Sequence, residues 1–533
     1  MTAAILAGLA LVLFLGLSVR CTVFSGNRIR RMRWHIKFRL HPGPGFATTA
    51  ELMFRWSRLA ALHHGRRSRP GMKFRHRAMS RTTQYAVRLG RAHHGRRAFA
   101  RAEDQTIILS LPRVGKTGLL ADRVIEHPGP ALVAESRSDM YSLTAGHRSR
   151  LGPIEVFNPR GVSGIPSTFR WNITAGCADP TEALLRADGL VGAVETTGDM
   201  AWWAEKSAAA LAAALHAADL IGGDMRDVWA WSNNLGYHLI DQARQVPGAS
   251  LELFGCLAEL DKPSRSADSI RLTMSKALAW MAVPSIREMV TGPEACPFDV
   301  ARFTAAKGTI YLMSDGDSSP CAPLFRCFTD YVHRTAGLYG LSQPHRKLDP
   351  GLLIAIDELH AAPVDLPSWL ADSAGKGIQV VAVVHSTGQL RDKYGEHGAD
   401  TVWSTAGTKL FLPGIHDAKT LEDVSKLCGT VRIGDKDERV IPPDLLRVLP
   451  DWHALVIRSN LLPLVVRFRP AWRRLDARFG RSPAPAPQPV QAPAPALPLK
   501  DLPAFEPAAE APAPIATANG HGARPGQRTG AVR

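Results

Sequence analysis

The sequence predicts an α/β protein with a parallel sheet, interrupted by an all-α insertion. Three observations predict it. Short continuous apolar runs, the pattern of strands buried on both faces, stand at Thr106–Leu109, Leu352–Ile356 and Gln379–Val384. The first run feeds a loop bearing Gly115 and Lys116, and then a helical pattern from Gly118 onward. Between the first and second runs, Ala183 to about Pro293 has helical periodicity, with Trp202 and Trp203 leading into the Ala-rich stretch Lys206–Leu220. Such Ala-rich stretches usually pack a core. Strand runs separated by helical segments imply parallel strands with helices on both faces. A further run at 409–412 extends the sheet.

The elements follow in order from the N-terminus. Residues 1–19 carry no charge and are mostly Ala, Leu, Val, Ile and Phe. A helix of that length spans ~28 Å, close to the hydrocarbon thickness of a bilayer. A cleaved signal peptide would want a basic flank before the apolar run. Here Arg20, Arg28, Arg30, Arg31 and Arg33 follow it instead, which predicts one uncleaved membrane anchor with a cytoplasmic body.

The chain of 533 residues and 57.8 kDa has a formal charge of +17. Residues 20–101 contain 21 Lys/Arg and one acid, Glu51, leaving 44 bases against 47 acids elsewhere. This juxtamembrane segment suits anionic lipid and, as a minor reading, nucleic acid. His63–Arg67 (HHGRR) recurs as His93–Arg97, but no Cys or carboxylate stands nearby at metal-ligand spacing. The seven cysteines form no CxxC pair, so reduced thiols are expected. From Arg481 onward, 12 Pro and 14 Ala fill a 53-residue tail that cannot form a core and is expected to be disordered.

The chemistry lies between. Ser110-Leu111-Pro112-Arg113-Val114-Gly115-Lys116-Thr117, followed by Gly118, sits in the strand–loop–helix context of a phosphate-binding loop. There, backbone N–H groups cradle phosphates, Lys116 reaches the β/γ-phosphates of ATP and Thr117 binds Mg²⁺. Ser110 replaces the usual first glycine, and a positive φ at that position would strain it. Alone, the loop also fits a lysine beside a helix cap.

The run Leu352–Ile356 ends in Asp357-Glu358. Acids at the C-terminal end of a buried parallel strand lie where ligands bind in open α/β sheets. Asp357 is expected to hold Mg²⁺ and Glu358 to polarise the attacking water. The third run ends at His385, with Gln389 beyond it, and a polar tip there can face the γ-phosphate. A satisfied strand-end histidine is the plainer reading.

Together these blocks resemble the TraG/TraD-type coupling proteins of type IV secretion, the conjugative DNA-transfer ATPases, in their actinobacterial form. The resemblance runs from about Tyr85 to Trp472. It rests on the loop, on Asp357-Glu358-Leu359, and on Val133–Asp139, Thr144–Arg148, Ile154–Pro159 and Arg170-Trp171-Asn172 with Gly176–Asp179. Gly377-Ile378, Gln389-Leu390, Tyr394-Gly395, Asp417–Thr420, Leu449-Pro450-Asp451 and Ala454–Val456 complete it.

The resemblance implies a membrane-anchored, RecA-like motor that assembles as a hexamer. It would drive single-stranded DNA, with its relaxase, or protein into a secretion channel. His385 stands where the family usually has glutamine. Only Lys376 occupies the place of the family's trans-acting arginine, and lysine lacks the planar bidentate fork. A docking receptor with little hydrolysis is therefore a second expectation. The closing blocks, and the lack of a separate winged-helix-like module, speak against a double-stranded DNA translocase of FtsK type. The expected organisation is an anchor (1–19), a basic segment (20–101), a nucleotide-binding part (102–182), an all-α insertion (183–300), a second nucleotide-binding part (301–480) and a tail (481–533).

Overall fold

The computed structural model describes residues 43–194, 200–233, 238–260, 264–314, 319–359 and 362–474. Helix α1 (Arg58–Ser68) precedes a hairpin of β1 (Ala86–Arg91) and β2 (Arg97–Arg101). Then come β3 (Thr106–Leu109), α2 (Lys116–Glu126), β4 (Ala131–Glu135), α3 (Asp139–Arg148) and β5 (Ile154–Phe157). The helical insertion includes α4 (Pro180–Val191), α5 (Met200–Leu220) and α6 (Arg265–Ala277). The chain returns through β6 (Thr309–Met313), α7 (Ala322–Ser342), β7 (Leu352–Ile356), α8 (Leu366–Lys376), β8 (Ile378–Val384), α9 (Thr387–Thr405) and β9 (Thr408–Phe411). It closes with α10 (Ala418–Cys428), the exposed ribbon β10 (Thr430–Ile433) and β11 (Lys436–Arg439), and then β12 (His453–Arg458) and β13 (Leu464–Arg467).

The main sheet has eleven strands in the order β2-β1-β13-β12-β9-β3-β8-β7-β4-β6-β5. Every neighbouring pair from β9 to β5 is parallel, whereas the flank from β12 to β2 is antiparallel. Strands β3, β4 and β6 to β9 are buried at every residue. Both of their faces are covered, so they read as unbroken apolar runs. Alternate residues serve opposite faces. Ile107 and Leu109 join the core shared with the insertion, while Ile108 joins the core under α2 and α3.

In the insertion, Asp179 caps α4 by accepting from Thr181 N, with Pro180 at the first helical position. The Ala-rich α5 is its central helix: Ala212, Ala213 and Ala214 are fully buried, and α4 and α6 pack on it. Small side chains let these helices approach closely.

The basic segment is not a separate body over its described part. Its last residues form β1 and β2, and β1 pairs with β13 through Arg91 and Arg467. Trp56 is buried, with the Arg458 guanidinium 5.6 Å from its ring. Among the described residues no helix is long and apolar enough to cross a membrane. The expected anchor (1–19) and the tail (481–533) lie outside the described residues.

Candidate nucleotide site

The loop after β3 is held at the carboxyl end of the parallel strands, where Ser110 N donates to Val384 O at 2.9 Å. Ser110 is buried and its hydroxyl donates to Leu111 O. Positive φ falls on Arg113 (66°) and Gly115 (95°), not on Ser110. Serine at the first loop position thus brings no left-handed strain. Arg113 carries it instead, at a cost of about 1–2 kcal/mol for a residue with a Cβ. Leu111 to Thr117 remain accessible, with Pro112 and Arg113 exposed. Gly115 is also sterically required, because a Cβ there would lie 2.6 Å from the Trp452 ring. A Cβ on Gly118 would collide with Trp472 and Pro470.

Three chain segments converge on this loop. Thr117 Oγ1 donates to Asp357 Oδ2 at 3.1 Å. Lys116 Nζ lies 4.0 Å from Glu358 Oε2, and Ser136 Oγ donates to the same oxygen at 3.3 Å. His385 Nε2 is 3.2 Å from Glu358 Oε1, and its Nδ1 is 2.8 Å from Ser110 O. Gln389, on the first turn of α9, accepts from His385 N at 2.8 Å. Its Nε2 is buried without a hydrogen-bond partner among the described residues.

The two acids sit in different fields. Burial pushes the Asp357 carboxyl up, against the pull of Lys116 and of the Thr117 hydrogen bond. Burial also opposes charge on Glu358, but the His385 hydrogen bond and the Lys116 charge outweigh it and hold this carboxyl below its usual value. Glu135, at the end of β4, is buried and pushed up to about 8. Burial there overrides the hydrogen bonds from Met140 N and Tyr141 N at the start of α3.

Sequence reading missed Ser136, Glu135, Trp452 and Trp472. Glu135 and Ser136 lie within the block Val133–Asp139 but had no role assigned, and Trp452 and Trp472 join from the closing segment with no motif of their own. Asp357 Oδ1 is buried without a hydrogen-bond partner among the described residues while Oδ2 faces Thr117, which fits a hard cation bound by oxygen donors. Lys376 stands elsewhere: it ends α8, ahead of β8, and is ion-paired with Asp372.

A glycine-lysine-threonine loop between a strand and a helix, facing an acid pair on another parallel strand, defines a P-loop nucleotide-binding fold. Residues 351–442 match the family described as the TraM recognition site of TraD and TraG. The resemblance to TraG/TraD-type coupling proteins stands on that match.

The plasmid coupling protein TrwB, in complex with ADP and Mg²⁺, has the same fold: 22% identity, TM-score 0.55, over 70% of this chain and 88% of that one. A sulphate complex of the bacterial conjugative coupling protein TrwBdeltaN70 matches at 22% identity and TM-score 0.55, over 69% and 88%. TrwB with a non-hydrolysable GTP analogue matches at 21% identity and TM-score 0.54, over 70% and 88%. No curated protein sequence matches the chain significantly.

Proposed function

We propose that this chain is a membrane-anchored ATPase that recruits DNA or a nucleoprotein and drives it into a type IV secretion or conjugation channel. The observation that carries the proposal is the meeting of Lys116, Thr117, Asp357, Glu358 and His385 at one end of the parallel sheet.

Backbone N–H groups of Arg113 to Gly118, through the turn into the first turn of α2, favour phosphate. Lys116 adds a positive charge that reaches both phosphate and Glu358. Thr117 and Asp357 would hold Mg²⁺, which supplies charge neutralisation on the phosphates when bound. Glu358, ionised and steered by His385 and Ser136, orients the attacking water and accepts its proton. The His385 bond to Ser110 O ties that steering to the phosphate loop.

The division into anchor, basic segment, two nucleotide-binding parts, all-α insertion and tail belongs to this proposal. So do a homohexamer, channel-protein partners and contact of the basic segment with anionic lipid. A reading with little hydrolysis, as a docking receptor, is favoured by one observation: Lys376 is tied to Asp372 and has no guanidinium fork. A coupling ATPase for protein cargo keeps the same site.

Steady-state ATP turnover by the purified full chain, with and without single-stranded DNA, tests the motor. Turnover stimulated by DNA and abolished in Lys116→Ala and Glu358→Gln is the expected result. ATP binding without turnover at any DNA or protein concentration would overturn it in favour of the receptor.

A further inference from the structure

Two indoles stand beside the phosphate loop, and neither takes part in holding phosphate, metal or water. Trp452 precedes β12, and Trp472 lies in the short helical turn Ala471–Arg473 that follows β13. The strand directions bring them there. Strand β12 runs antiparallel to β9, and His453 at its start pairs with Arg467 at the end of β13. Both segments therefore reach the carboxyl end of the parallel strands, which is the pole of the loop.

They reach it from a particular side. In the sheet order β13-β12-β9-β3-β8-β7, the loop strand β3 lies between the closing strands and β7. Asp357 and Glu358 flank the loop from the β7 side, and the indoles flank it from the other. A nucleoside triphosphate lies with its terminal phosphate toward the metal and the attacking water. Its ribose and base then leave the loop on the side away from Asp357 and Glu358, toward Trp452 and Trp472.

The indoles touch the loop backbone itself. A Cβ on Gly115 would meet the Trp452 ring, and a Cβ on Gly118, the residue after Thr117, would meet the Trp472 ring. The two rings meet edge to face, with centroids 5.8 Å apart and planes at 79°. Their surroundings differ. The Arg473 guanidinium lies over the Trp452 ring, 4.7 Å from its centroid, and Phe468 meets the same ring edge-on at 6.1 Å. Trp472 is 41% exposed. Trp452 is thus the buttress, and Trp472 is the ring with surface to spare.

The backbone of Trp452 adds a second observation. Its φ is 63°, in the left-handed region that a bulky residue with a Cβ avoids. Strain of this kind persists where the surrounding structure holds it, and it gathers at ligand sites. Here the strained residue sets its indole against Gly115, Arg473 and Trp472.

We propose that Trp472, supported by Trp452 and Arg473, is the stacking surface for the base of the bound nucleotide. The inference rests on the nucleotide-site reading and assigns the half of the ligand that the phosphate loop does not hold. Stacking uses the π-face that every base has. The surface therefore favours a nucleotide over inorganic phosphates without choosing between adenine and guanine.

The test compares two ligands of the same loop: ADP, which carries a base, and inorganic pyrophosphate, which does not. Dissociation constants of both with Mg²⁺ are measured by isothermal titration calorimetry on the purified full chain, on Trp472→Ala and on Trp472→Phe. In Trp472→Ala the Kd for ADP is expected to rise about 5- to 150-fold, the affinity equivalent of one base–aromatic stack. The Kd for pyrophosphate is expected to stay unchanged, and GDP is expected to follow ADP. Trp472→Phe keeps a ring, guards against an Ala variant that fails to fold, and is expected to restore most of the ADP affinity.

An unchanged ADP Kd in Trp472→Ala would overturn the proposal. Equal weakening of ADP and pyrophosphate would also overturn it, and would reduce Trp472 to packing against Gly118. Binding of neither ligand by the unsubstituted chain would remove the nucleotide site itself, and this inference with it. Binding of both leaves that site standing, whatever Trp472 does.

Discussion

Thr117 and Asp357 are 240 residues apart in sequence, and the threonine hydroxyl donates to the aspartate at 3.1 Å. The bond joins the first turn of α2 to the end of β7 and leaves Asp357 Oδ1 buried without a partner among the described residues. If Thr117 and Asp357 are the Mg²⁺ ligands, Asp357→Asn keeps the shape and a weaker acceptor but loses the charge. Turnover is expected to fall on the order of 10²–10³-fold, as when one preorganised electrostatic group is removed. Circular dichroism should be unchanged, and an unchanged turnover would remove Asp357 from the site.

Glu358 is ionised at neutral pH because the His385 hydrogen bond and the Lys116 charge outweigh its burial. A base with a lowered pKa stays active as pH falls, so the acid limb of the turnover profile should lie below the ordinary carboxylate value of 4.5. In His385→Leu the hydrogen bond is gone while burial remains, and the limb should shift upward. The same variant should lose less stability on acidification, since a depressed carboxyl pKa supplies stability that disappears as pH drops through it. An unmoved limb would mean that His385 does not hold Glu358.

Gly118 is small because Trp472 and Pro470 occupy the space of a side chain. Gly118→Ala should destabilise by about 1–3 kcal/mol, the usual range for overpacking. Trp472→Ala should remove much of that penalty, because Trp472 is 41% exposed and supplies the nearest atoms. Urea midpoints of both single variants and the double variant measure the coupling. Additive effects would contradict the packing.

The parallel centre of the sheet was legible because its strands are covered on both faces. Thr106–Leu109 and Leu352–Ile356 match the apolar runs residue for residue, β8 begins one residue before its run, and β9 is displaced from the run at 409–412 by one residue at both ends. The hairpin of β1 and β2 was not legible. Ala86 and Leu89 are buried three residues apart, across a register shift between Arg88 and Gly90, so no two-residue alternation marked the strand within the charge run. In the site, Lys116, Thr117, Asp357 and Glu358 carry local motifs. Ser136 meets Glu358 only through the pairing of β4 with β7, and Trp452 meets Gly115 only through the antiparallel flank. Contacts of that kind have no signature along the chain.

Lys409 lies on β9. It is 9% exposed, donates to Ala406 O at 2.7 Å and sits 5.6 Å from the Trp403 ring. Burial pulls its pKa from 10.5 down to about 8. Below that value both the folded and unfolded chains carry the proton, and the full cost of burying the charge is present. Between about 8 and 10.5 the folded chain gives up the proton while the unfolded chain keeps it, so stability rises with pH over this interval. Lys409→Met removes the titration and leaves Ala406 O without its donor. After allowance for that loss and for partial solvent screening, the variant is expected to be about 1–2 kcal/mol more stable at neutral pH. The two chains should converge as pH approaches 10.5. Urea unfolding at neutral pH and near pH 10 measures both. A Met variant less stable at neutral pH would show that the ammonium is better compensated than its single carbonyl and nearby indole imply.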